Sequence, residues 1–138
     1  MNCEIYNNSI QIIDSNDYIS FEKYDIVNNI SIIDNMYVKI LSDGIYVINI
    51  SIYLLEEGMI KLFINDKLYN EHFSSYSELS AQFIHKMLIL KANDMIAIKN
   101  CSNKIIITKD SELCPNSKNF DMVIWKITSG KLDTISEN

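Results

Sequence analysis

Apolar and polar positions alternate along most of this chain, and the cleanest run is Gly44–Leu54. Tyr46, Ile48, Ile50, Ile52 and Leu54 fall on one side of it; Ile45, Val47, Asn49, Ser51 and Tyr53 fall on the other. Successive side chains of a strand point to opposite faces, so the run predicts a long strand with one fully apolar side. Residues 9–13, 18–21, 28–34 and 36–41 predict shorter strands before it, the last closed by a turn at Ser42-Asp43-Gly44. After it come strands at 59–64 and 68–73, joined by a hairpin tip at Asn65-Asp66-Lys67. Residues 79–90 and 95–100 read as a second strand pair around the turn Lys91-Ala92-Asn93-Asp94, with further strands at 104–108 and 121–127.

The pattern gives about eight to ten strands with a turn signal every ~8–12 residues, and no amphipathic helix, which is the signature of an all-β sandwich or barrel. A helix is allowed only locally, over 76–83. One domain is expected over residues 9–128, after an N-terminal segment of 1–8 and before a polar tail of 129–138. Several strands are apolar on their second face too, at Ile45, Val47, Met87 and Ile89. A two-layer domain leaves that face to water, and a second copy of the chain is the simplest cover for it.

Composition narrows the classes. The 138 residues are 48% hydrophobic, enough for one core, and hold only 3 Gly and 1 Pro. A net charge of −6 speaks against a nucleic-acid partner and against attachment to an anionic membrane. No apolar run approaches the ~18 residues that span a bilayer, so no membrane insertion is expected. The N-terminal residues lack the basic start and apolar stretch of a secretory signal. Cys3, Cys101 and Cys114 are an odd set without a Cys-x-x-Cys pair; a bridge between Cys101 and Cys114 stays open. Abundant Ile, Asn and Lys without Arg suggest an AT-rich, bacterial genome.

Catalytic motifs are missing: there is no phosphate loop, no His-Glu-x-x-His and no Gly-x-Ser-x-Gly. His85 lies among Phe83, Ile84 and Met87, where a structural role is expected. His72 follows Glu71, and a small β-barrel enzyme would need it as a base, but no nucleophile motif accompanies it. The chain therefore reads as a non-enzyme with no cofactor. Asp14-Ser15-Asn16-Asp17 is the best local arrangement for calcium, with Asp14 and Asp17 as its carboxylates, but it lacks the EF-hand spacing, and a solvated turn is the favoured reading. Tyr69, Phe73 and Tyr76 could form a sugar platform, or cap the core or an interface.

The order of motifs resembles the complement C1q and tumour-necrosis-factor-like superfamily. Gly44-Ile45-Tyr46 is similar to its Gly-x-Tyr strand opening, and Leu62-Phe63-Ile64-Asn65-Asp66 to the following strand and its Asn-Gly tip. Residues 88–98 resemble its Leu-x-Leu-x-x-Gly-Asp hairpin, and 120–127 its apolar final strand; the similarity spans about residues 9–128. Asn93 stands in place of Gly, the 65–66 tip lacks its Gly, and Trp125-Lys126-Ile127 replaces the usual ending, closer to the heads of bacterial collagen-like spore-surface proteins. Asn and Asp reach left-handed backbone more readily than other non-glycine residues, so these exchanges are tolerable. The resemblance implies an antiparallel jelly-roll β-sandwich, a compact homotrimer and a non-catalytic surface or ligand-recognition role. It also implies an extracellular, cell-surface or spore-surface location, with an unidentified protein or glycan as ligand. Tyr46, Ile48, Met87, Ile89, Val123 and Trp125 are the candidate trimer contacts. Which strand faces meet the axis stays open. The other reading is a monomeric carbohydrate-binding β-sandwich.

Overall fold

A computed structural model describes residues 1–55, 58–74, 80–108 and 118–128. Among them are twelve strands and no helix. In chain order they are β1 (Cys3–Asn7), β2 (Gln11–Ile13), β3 (Lys23–Ile26), β4 (Ile30–Ile33), β5 (Tyr37–Ile40) and β6 (Gly44–Leu54). There follow β7 (Met59–Ile64), β8 (Lys67–Ser74), β9 (Ser80–Leu90), β10 (Met95–Asn100), β11 (Ile105–Ile107) and β12 (Phe120–Thr128). All pairings are antiparallel and form two sheets.

The seven-stranded sheet is organised by β6. On one side β9 pairs with it from Gly44↔Leu90 to Leu54↔Ser80. On the other side β12 pairs with its first part and β11 with Leu54 at its end. β12 continues to β1 and β3, and β11 to β2. The second sheet runs β4-β5-β10-β7-β8. Inward positions fill the space between the sheets: Cys3 and Ile5 of β1, Tyr46 to Leu54 at alternate positions of β6, Ile60 and Leu62 of β7, and Phe120, Met122 and Ile124 of β12. Phe21 and Phe120 stack inside this core at 6.0 Å between centroids.

Turn chemistry follows composition. The described non-glycine residues with left-handed φ are all Asn or Asp, and neither described glycine takes that conformation. Asn65 (φ 54°) and Asp66 (φ 61°) join β7 to β8 as a two-residue loop with both residues left-handed, the twist that suits a hairpin. Asn93 (φ 77°) occupies the turn before β10, and its N–H donates to Ile40 O at 2.6 Å. This short-side-chain solution lets a chain with 3 Gly make its tight turns.

Two expectations change. Residues 1–8 are not a leading segment outside the domain, because β1 lies inside the sheet between β12 and β3, with Cys3 and Ile5 in the core. Residues 18–21 are not a strand: Tyr18 makes one isolated bridge to Lys99, Ile19 N–H donates to Ile98 O, and Ile19 and Phe21 plug the sandwich from a loop. Alternation alone cannot separate a strand from an extended loop whose every second residue is buried. The tail 129–138 and residues 76–79 of the helix expectation lie outside the described residues.

Candidate functional site

The outer face of the seven-stranded sheet carries the apolar second sides of its central strands. Register places them in rows. Ile89 of β9 stands beside Ile45 of β6; Met87, Val47 and Trp125 form the next row across β9, β6 and β12. His85, Asn49, Val123 and Glu4 follow, then Phe83, Ser51, Asp121 and Tyr6. Phe83, Met87, Ile89 and Ile127 are each more than half exposed, and Trp125 is 38% exposed. Isolated exposed apolar residues are ordinary, but a contiguous set on adjacent strands marks an interaction surface.

The lower rows are polar. A depression of about 330 Å³ is lined by Asn49, Ser51, Phe83, His85, Asp121 and Val123, with the backbone of β6 and β9 as its floor. His85 Nδ1 and Asn49 Oδ1 are hydrogen-bonded across the β6–β9 pair. Next to the depression, Lys118 Nζ donates to Glu4 Oε2 at 2.6 Å and lies 4.7 Å from the centre of the Tyr6 ring. Asp121 sits beside Glu4, and its Oδ1 is buried without a hydrogen-bond partner. Burial, then the hydrogen bond and charge of Glu4, push the Asp121 carboxyl up to about 6, against the pull of Lys118. The Lys118 hydrogen bond holds Glu4 below the usual carboxylate range. Two neighbouring carboxyls with oppositely shifted affinities for a proton are therefore set into the edge of an apolar face.

Four of the six candidate contacts lie on this face: Met87, Ile89, Val123 and Trp125. Tyr46 and Ile48 do not. They are 0% and 1% exposed, on the opposite side of β6 and inside the protomer's own core, so they cannot touch a partner. Tyr46 is accommodated there because its hydroxyl donates to Ser42 O at 2.7 Å. The Glu4–Asp121–Lys118 cluster was invisible in the sequence, because it assembles only through the β1–β12 register.

The other candidates are dispersed. Asp14 O accepts from Asp17 N–H at 3.1 Å in a turn, and the Asp14 carboxylate faces Lys104 Nζ at 3.7 Å. Among the described residues no three His, Cys, Asp or Glu groups gather as a metal set, and Asp14 and Asp17 have no third ligand of that kind. Tyr69 packs against the core; the side chains of His72 and Phe73, and Tyr76 and Cys114, lie outside the described residues. Cys3 and Cys101 are free thiols, and burial, with help from Asp25 and Glu4, pushes the Cys3 thiol up to about 11, where it is inert as a nucleophile.

No family model matches the chain, and no curated protein matches it in sequence. Solved structures do. The Eiger TNF structure from S. frugiperda superposes with a TM-score of 0.68 at 16% identity, covering 93% of this chain and 92% of that one. The globular domain of zebrafish complement 1qA gives 0.67 at 11% identity, over 94% of this chain and 100% of its own. Murine APRIL gives 0.64 at 10% identity, over 91% and 97%. The chain has the C1q/TNF-like jelly-roll fold.

Proposed function

We propose that the chain is a non-catalytic recognition module, of the C1q-like kind, that assembles as a homotrimer through the outer face of its seven-stranded sheet. The observation that carries this reading is the set of exposed apolar residues Met87, Ile89 and Trp125, which adjoin one another across β9, β6 and β12 beside Ile45 and Val47. Covering it removes large apolar side chains from water at about 25 cal/mol per Å². The fold supports the reading, since its superfamily includes signalling and recognition proteins. Met87, Ile89, Val123 and Trp125 are the contacts proposed for that interface. A surface or extracellular location goes with the same reading.

Light scattering coupled to size exclusion tests it. The expected mass is three times 16.0 kDa. Trp125→Asp puts a charge at the centre of the apolar rows and should give a folded monomer by the same measurement. A monomeric wild-type chain at high concentration, or an unchanged oligomer in the variant, overturns the assembly or the role of Trp125 respectively.

A further inference from the structure

The opposite face of the sandwich, the outer side of the five-stranded sheet, carries a second built surface. Outward residues line up across its strands: Ile33 beside Tyr37 on β4 and β5, just past the last β5–β10 pair at Val38–Ile96, and Ala97, Phe63 and Leu68 in register on β10, β7 and β8. Ala97 points outward by alternation yet is 1% exposed, so this row is a covered floor and not a loose set of side chains. Tyr18 lies over the same region, bridged to Lys99, with its ring 5.4 Å from that of Tyr37. The hydroxyls of Tyr18 and Tyr37 both donate to Asp66 Oδ1, at 3.3 and 3.4 Å.

Lysines flank the aromatic row on both sides. Lys99 and Lys61 are direct cross-strand partners, and Lys99 Nζ sits 5.5 Å from the Tyr18 ring centre and 5.1 Å from that of Phe63. Like charges directly opposite each other destabilise a sheet. Lys39 lies on the far side of the row, beside Met95, four residues along β10 from Lys99 and so roughly 13 Å away. The ion pairs among the described residues are Lys104–Asp14 and Lys118–Glu4, and neither serves these three lysines. A chain of net charge −6 thus places three lysines around half-buried rings, with the Asp66 carboxylate at the hydroxyls of two of those rings.

We infer that this face binds an acidic oligosaccharide, with Tyr18, Tyr37 and Phe63 stacking sugar faces and Lys39, Lys61 and Lys99 taking its carboxylates. The inference names a ligand class for the recognition role proposed above and rests on that role, not on the trimer. Charges separated by an apolar span suit a polymer with one carboxylate per disaccharide. A nucleic-acid strand offers a phosphate at every residue and favours a continuous cationic groove. A peptide would use a sheet edge or an apolar groove instead of an open sheet face.

The test is calorimetric titration of the full chain with a hyaluronan octasaccharide, a neutral chito-octasaccharide and an oligothymidylate. Molar mass is measured on the same sample. Hyaluronan should bind, weaken with salt, and exceed the neutral sugar by about tenfold. Lys61→Met and Lys39→Met, which keep the aliphatic stems, should each weaken it severalfold with unchanged melting and unchanged mass. No hyaluronan binding, wild-type binding in both variants, or tighter binding of oligothymidylate at the same salt would each overturn the inference. A trimer that binds no glycan removes this ligand and leaves the assembly; a monomer that binds it does the reverse.

Discussion

Asn100 is fully buried at the end of β10, and every polar atom of its amide is used. Its Nδ2 donates to the carbonyls of Ile13, Asp14 and Asn103, while its Oδ1 accepts from the N–H and hydroxyl of Ser102. One side chain thus ties the loop after β2 to the turn before β11. Asn100→Ala strips donors from buried carbonyls and should cost about 2–3 kcal/mol, read as a lower denaturant midpoint. Gly58 is needed for a different reason. A Cβ there would stand 2.7 Å from Ile105 Cγ2, and a β-branched neighbour cannot swing away. Gly58→Ala should destabilise by about 1–3 kcal/mol through overpacking. Unchanged melting in either variant would remove the corresponding argument. The sequence displays both residues but not what they meet: Gly58 reads as a turn glycine and Asn100 as one asparagine among many.

Legibility rises at the scale of elements where burial is one-sided. The expected strands at 59–64 and 95–100 have the observed bounds of β7 and β10, and the one expected from Ile45 to Leu54 falls one residue short of β6, because inward and outward positions there differ sharply in polarity. β3 went unread because all four of its residues are exposed and carry no alternation. β1 does alternate, with Cys3 and Ile5 against Glu4 and Tyr6, but its place in the sheet comes from β3 and from β12 beyond residue 119, which local pattern cannot supply. The apolar second face of β6 and β9 was legible, whereas the side of β6 that faces the core was not. The Tyr46 side is the inner one because it meets the second sheet, a long-range fact. The weight of β1 can be measured. A chain starting at residue 9 loses two core side chains and exposes unpaired edges of β12 and β3. It should lose at least about 3 kcal/mol, or fail to fold. An unchanged urea midpoint would make β1 peripheral despite its position.

For the whole molecule, the proposed assembly and the carboxyl pair at its edge have a joint consequence. The Asp121 carboxyl is raised from an ordinary 3.8 to about 6. A group raised on folding contributes stability that is complete below its unfolded value and is lost as pH climbs through its folded one, here from about 4 to about 6. A second copy packed over the face would remove more water from Asp121 and act in the same direction, so association takes up a proton. The facing groups are Glu4 and Tyr6 from β1, Lys118 before β12, and His85 from β9 across the depression; β6 offers only the neutral Asn49 and Ser51. Lys118 is held charged by Glu4, and Glu4 is held ionised by Lys118 until the pH falls below the ordinary carboxylate range. The trimer should therefore tighten between about pH 7.5 and 5.5, by up to about tenfold per pH unit for each proton fully taken up. Sedimentation equilibrium across that range should show Asp121→Asn flat. A wild-type trimer whose dissociation is independent of pH would place Asp121 outside the desolvated part of the interface. A trimer that loosens in acid would overturn the argument.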